Sequence, residues 1–163
     1  MLSTVKSIAL HGLQGYLVNI QVDISSGMPS FDIVGLPDTS IRESRERVKT
    51  AIRNSTFEFL SRKIVVNLAP ASTKKEGSIF DLPIAVGILI ASNIVSNTNL
   101  KNTIIIGELS LDGSIRKITG ILPICIEAKN LGIKKVILPK ENAKEACIID
   151  NLEIIPVSTL TVV

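Results

Sequence analysis

The segment Val18-Asn19-Ile20-Gln21-Val22-Asp23-Ile24 alternates β-branched apolar residues with polar ones. A period of two puts the four apolar side chains on one face of an extended strand and the polar ones on the other. Upstream, Val5 to Leu10 is a weaker apolar run, separated from the first by Gly12 to Gly15, and so predicts a hairpin partner. Downstream, Ser25-Ser26-Gly27 breaks the pattern and Phe31 to Val34 reads as a short strand. Gly35-Leu36-Pro37-Asp38 then turns the chain into a helix over Ser40 to Arg53, with Asp38 or Thr39 as its cap.

Beyond this region the pattern changes. Ile64 to Leu68 is a nearly unbroken apolar run suited to a strand covered on both faces, followed by a polar, lysine-bearing loop from Ala69 to Gly77. Asp81 is placed to cap an apolar helix, Leu82 to Ser92, in which Pro83 is tolerated in the first turn and Gly87 allows a close neighbour. Strands are predicted at Thr103 to Ile106, Val136 to Leu138 and Ile154 to Val157, and a helix from Gly120 to Leu131 is stopped by Gly132. The whole of 1–163 reads as one α+β domain, a mixed sheet with helices on it.

Composition narrows the function. The 163 residues carry 18 Lys+Arg against 15 Asp+Glu, a formal charge of +3, and are 45% hydrophobic, an ordinary globular balance. Only five residues are aromatic (Tyr16, Phe31, Phe57, Phe59, Phe80), so no platform for stacking single-stranded bases is expected. Cys125 and Cys147 are too few for a disulfide framework and lack metal-ligand spacing, which fits a reducing, cytoplasmic setting. The longest strongly apolar stretch, Leu82 to Ala91, spans about 15 Å as a helix, roughly half a bilayer core, so no membrane partner is expected.

A nucleotide-hydrolysing P-loop needs a Gly-Lys pair, and none occurs; a GxGxxG turn is also absent. His11 is the only histidine and is expected at a turn or strand end, so neither a metal site nor histidine-activated nucleophile is predicted. A serine-lysine arrangement would have Ser72, Ser78, Lys74 and Lys75 as candidates by residue type. Lysine acts as a base only when desolvated, and Lys74-Lys75 beside Glu76 in a polar loop is expected to be solvated.

The helix from Ile41 to Arg53 carries the strongest charge. At 100° per residue Ile41, Val48 and Ile52 form an apolar stripe, while Arg42, Arg45, Lys49 and Arg53 fall within about 80° of one another beside it. Arg47 is a fifth basic residue, against Glu43 and Glu46. Two readings stay open: a solvated face with local pairs Arg42-Glu46 and Glu46-Lys49, or contact with phosphates or an acidic subunit surface.

Five strings carry a resemblance: Val34-Gly35-Leu36-Pro37-Asp38, Glu43-Ser44-Arg45-Glu46-Arg47-Val48, Val66-Asn67-Leu68-Ala69-Pro70-Ala71, Lys74-Lys75-Glu76-Gly77 and Phe80-Asp81-Leu82-Pro83-Ile84-Ala85. Together they resemble the N-terminal domain of the ComM (YifB) family, bacterial magnesium-chelatase-like AAA+ ATPases. The resemblance implies a ribosomal protein S5 domain 2-like fold similar to the Lon proteolytic domain, and Gly107 to Gly113 through Gly132 to Pro139 are similar to the corresponding Lon segment. Matching the Lon serine and lysine positions by flanking apolar and glycine residues places Phe80 and Leu122 there, so the dyad is expected to be lost and no catalytic residue remains.

The resemblance further implies an ATPase module beyond residue 163, supplying ATP and Mg sites, a hexamer with identical subunits, and a DNA helicase serving branch migration in natural transformation. On that reading this chain is noncatalytic, serving ring assembly and DNA guidance, with Arg42, Arg45, Arg47, Lys49, Arg53, Lys74 and Lys75 as candidate contacts. The alternatives are a purely structural subunit-interaction or adaptor domain without DNA contact and, least supported, a serine-lysine peptidase using Ser78. The ending Ser158 to Val163, with neither helix stop nor charged tail, is expected of a domain cut from a longer protein.

Overall fold

The computed structural model describes residues 1–59, 61–96 and 100–162. The alternating segment is the middle of β2 (Gln14–Ser25), which pairs antiparallel with β1 (Leu2–His11) from Leu2 opposite Asp23 to His11 opposite Gln14. The hairpin is longer than the pattern suggested, and its connection is only Gly12-Leu13, with Gly12 at φ +64 supplying the left-handed step such a turn needs. His11 sits exposed at the end of β1, the strand-end position expected of it.

From this hairpin the sheet grows both ways. β4 (Lys63–Ala69) pairs antiparallel with β2, and β3 (Ser30–Val34) lies parallel at the edge beyond it. On the other side β5 (Thr103–Ile105), β8 (Lys135–Pro139) and β9 (Glu153–Val157) follow β1 in parallel. The seven-stranded order is β3-β4-β2-β1-β5-β8-β9, and β2 alone runs against the rest. A second ribbon joins β6 (Glu108–Leu109) to β7 (Ile115–Arg116). Strands of two residues are too short to show a period, which is why the sequence pattern passed over them.

Helices cover the two faces unequally. α1 (Thr39–Asn54) and α2 (Asp81–Ala91) share one core with Val18, Ile20, Val22, Ile64, Val66 and Leu68. α3 (Ile121–Asn130) closes a second core with Ile8, Ile104, Ile106, Val136 and Leu138, joined by Ala146 of α4 (Ala143–Ala146). Every residue of α2 is buried, as expected of a helix apolar on all sides. Gly87 permits this: a Cβ there would stand 2.7 Å from Val22 Cγ2, and its carbonyl accepts from Ser3 Oγ at 2.7 Å.

α1 begins where expected. Asp38 is its cap, Oδ1 accepting from Ile41 N at 2.8 Å. The expectation for Asp81 is corrected: α2 is preceded by Phe80 with no side-chain cap, and Asp81 lies within the first turn, wholly buried. Its carboxylate is drawn sideways across the α1–α2 contact, which leaves no acceptor for the helix amides.

Candidate interface on helix α1

The apolar stripe of α1 is buried through Ile41, Val48, Ala51 and Ile52, and this fixes the rotation of the helix on the sheet. Arg42, Arg45 and Arg53 are consequently exposed and Lys49 half-buried, all on the outward side. Arg45 lies back along the sheet edge, Nε donating to Arg42 O at 3.1 Å and Nη1 to Phe31 O at 3.4 Å. The local pairs Arg42-Glu46 and Glu46-Lys49 do not form. Ion pairs among the described residues are Arg47–Asp81, Arg116–Glu108 and the N-terminal amine with Asp23.

Arg47 leaves this group. Its Nε donates to Asp81 Oδ2 at 2.7 Å, and Nη2 reaches Asp81 Oδ1 at 3.1 Å, Ser40 O at 2.8 Å and Ser44 Oγ at 3.1 Å. Ser44 Oγ donates to Asp81 Oδ1, and Leu109 N donates to Oδ2 at 3.1 Å. Oδ1 thus has two partners from α1, and Oδ2 has one from α1 and one from β6. Burial holds the Asp81 carboxyl above its usual range against the pull of Arg47 and Ser44, and the bond to Asp81 raises the Arg47 guanidinium further. Helical angle was the available signal: Arg47 lies about 120° or more from the other four cations, and Ser44 falls on the apolar side.

Lys74 and Lys75 have opposite fates. Lys74 is exposed, with its carbonyl accepting from Tyr16 Oη at 3.1 Å. Lys75 is wholly buried, correcting the expectation of a solvated side chain. Its Nζ donates to Gly35 O at 2.9 Å and to Pro70 O, and burial lowers its pKa below the ordinary lysine value. Its backbone joins in: Lys75 N donates to Leu36 O at 3.0 Å, and Asp38 N donates to Lys75 O at 3.1 Å. Asp38 Oδ2 then accepts from Gly77 N at 3.0 Å. One lysine and one aspartate therefore tie the β3–α1 turn to the β4–α2 loop. Gly35 is required here, because at φ +102 a Cβ would meet Leu68 O at 2.4 Å.

The positions matched to a catalytic dyad hold no such chemistry. Phe80 is buried in the core ahead of α2, and Leu122 is a half-buried residue in the first turn of α3. Lys75 directs its ammonium at two carbonyls, and Ser78 contributes its carbonyl to Asp81 N. Among the described residues no group of three His, Cys, Asp or Glu side chains could hold a metal ion, and no helix is long and apolar enough to cross a membrane. Cys125 is buried, its thiol pushed up to about 11 by desolvation, while Cys147 is exposed.

One cluster was not foreseen. After α1 the chain reverses at Ser55-Thr56 and returns Phe59 under the helix, where its ring stacks with Phe31 at 6.0 Å between centroids and 21° between planes. Lys49 Nζ and Arg53 Cζ lie 6.0 and 5.8 Å from the centre of the Phe59 ring. Phe31 and Phe59 are 28 positions apart in sequence, so no local pattern joins them.

Comparison with known proteins follows the same outline. The family model described as subunit ChlI of Mg-chelatase matches residues 20–142, from within β2 past β8. Competence protein ComM of Haemophilus influenzae is 41% identical over 150 residues, 92% of this chain and 29% of the relative. The YifB protein of Escherichia coli is 40% identical over 149 residues, 91% of this chain and 29% of the relative. Lon protease 2 of Bacillus subtilis is 30% identical over 175 residues, 95% of this chain and 31% of the relative. The chain therefore spans about three tenths of the length of these curated relatives. With the family model matched from the second half of β2 through α1, the Lys75 loop, α2 and α3 to just past β8, and with ComM and YifB similar along nearly the whole domain, this chain belongs to the Mg-chelatase ChlI family as a ComM/YifB-like, Lon-related member.

Proposed function

We propose that this chain is a noncatalytic N-terminal domain of a ring-forming, ComM-like AAA+ ATPase, and that the outer face of α1 contacts DNA. The observation that carries this reading is the set of Arg42, Arg45, Lys49 and Arg53, which share one face and have no carboxylate at ion-pair distance among the described residues. Unpaired cations on one rigid face are what phosphate contact requires, since each phosphate neutralised releases counterions. Lys74 is a further candidate contact on the exposed loop. Arg47 and Lys75 are assigned to the fold instead.

ATP and Mg are assigned in this proposal to a separate ATPase module, as the resemblance to AAA+ ATPases implies; these 163 residues contain no Gly-Lys pair of the P-loop kind. A cytoplasmic hexamer that drives branch migration of DNA during transformation is the part of this proposal drawn from the family resemblance; the name of the Haemophilus influenzae relative, a competence protein, is in keeping with the transformation role. The test is the salt dependence of duplex binding by the full-length protein. Four phosphate contacts give a slope of log K against log salt of roughly −3 to −4, and reversing the four charges should flatten it by that amount. An unchanged affinity and slope would remove α1 from the DNA path.

A second reading is subunit contact without DNA. It is favoured by the position of Arg45 along β3, the outermost strand of the sheet, where a neighbouring subunit could approach. Loss of ring assembly in the same charge-reversed protein, with DNA binding intact in residual rings, selects it.

A further inference from the structure

We infer that the pocket beneath the C-terminal half of α1 receives an unpaired nucleotide, which makes single-stranded DNA the preferred ligand of this face. The inference rests on the nucleic-acid reading above and adds strandedness to it. The pocket, about 160 Å³, is floored by the stacked rings of Phe31 and Phe59 and rimmed by Lys49, Arg53 and Arg62. Arg62 is set there by its carbonyl, which accepts from Ser30 N at 3.3 Å at the start of β3. No carboxylate is among the described residues that line it, and none of the three cations has an ion-pair partner among the described residues.

The chemistry of this lining is selective. A lone phosphate or an acidic peptide needs cations but gains nothing from two half-buried, stacked rings. A nucleotide uses both, with its base against the aromatic floor and its phosphate among the cations. Lys49 and Arg53 stand at the outer limit of cation–π range over Phe59, so they can swing toward a phosphate while the ring takes the base. Bases in a duplex are already stacked on one another and cannot enter. Arg45, which bonds the carbonyl of Phe31 itself, and Arg42, one turn earlier on the same exposed side of α1, continue the cationic face, so a strand held by the pocket extends along it.

The experiment measures binding of two labelled probes to the full-length protein by fluorescence anisotropy, an oligothymidylate of about 16 nucleotides and a duplex of the same length. The unmodified protein is expected to bind the oligothymidylate more tightly. Phe59→Leu, which keeps an apolar filler but removes the ring, should weaken single-strand binding roughly five- to a hundredfold and leave duplex binding nearly unchanged. Phe59→Tyr should retain it. Arg62→Gln, an exposed change that spares the core, should reduce the single-strand salt slope by about 0.7.

Equal losses for both probes in Phe59→Leu, or full single-strand affinity in that variant, would overturn the inference. If single-strand affinity survives Phe59→Leu but is lost on reversing the four α1 charges, the proposed function stands and the pocket does not. If neither probe binds the unmodified protein at about 50 mM salt, both are wrong. Competition by polyglutamate as strong as by oligothymidylate would make the pocket a general anion site and overturn its assignment to nucleotides.

Discussion

The two sides of α1 use the same chemistry for opposite ends. On the inner side Arg47 is fastened to Asp81, Ser44 and Ser40, with Leu109 N completing the carboxylate. On the outer side Arg42, Arg45, Lys49 and Arg53 hold no carboxylate within ion-pair distance among the described residues. The loop after β4 repeats the contrast in two consecutive residues, Lys75 buried against carbonyls and Lys74 exposed. Counting basic residues therefore overstates the charge a partner can meet. Of the seven candidate contacts, two are spent inside the fold, while the other five keep charges that no carboxylate pairs among the described residues, Arg45 bonding only backbone carbonyls and Lys49 and Arg53 lying over the Phe59 ring.

The sharpest way to break this contrast is Arg47→Met. It leaves Asp81 buried without its cation, and such losses cost about 3–5 kcal/mol; chemical denaturation of the full-length protein's N-terminal transition would read it. The pH dependence follows from the raised Asp81 carboxyl. A folded-state pKa above the unfolded value of about 3.9 means the native state holds the proton longer, so stability falls as pH rises from about 3.9 through the folded pKa. Removing Arg47 widens that window upward. The destabilisation by Arg47→Met should accordingly be larger at neutral pH than in acid, and a pH-independent loss would argue that packing, not charge, dominates at this site.

Lys75→Met ranks next. The aliphatic stem is kept but Gly35 O and Pro70 O lose their donor, a cost of about 1–3 kcal/mol, whereas Lys74→Met should stay within about 0.5 kcal/mol. Equal effects at the two positions would mean the tie between the two loops contributes little. The smallest effect is expected on the outer face: replacing Arg42, Arg45 and Arg53 singly with Gln should move stability by no more than about 0.5 kcal/mol each, measured by the same denaturation. A large loss at any of them would turn a free cation into a structural one and weaken the DNA reading.

Much of the architecture was readable residue by residue. The alternation at Val18 to Ile24 predicted β2, the Asp38 cap predicted the start of α1, and the unbroken run at Leu82 to Ala91 predicted a buried α2. Each signal is local, completed within one turn of helix or a few strand positions. The β6–β7 ribbon was not readable, since two-residue strands carry no period and depend on the hairpin they close. Asp81 was misread because a carboxylate at a helix start satisfies a capping rule whatever lies across the interface, and only packing brings Arg47 to it.

By itself, the sequence determined the mixed α+β class, the outward basic stripe of α1 and the lack of a P-loop, because periodicity, helical angle and motif spacing are properties of neighbours along the chain. The tertiary structure alone decided which cations remain free, since Arg47 is consumed by a residue 34 positions away and Lys75 by a carbonyl 40 positions away. It also decided what five scattered aromatics amount to. Composition counted too few rings for a stacking surface, but a sheet edge and a returning loop set Phe31 against Phe59 beneath two cations, a juxtaposition that exists only once the chain has folded back on itself.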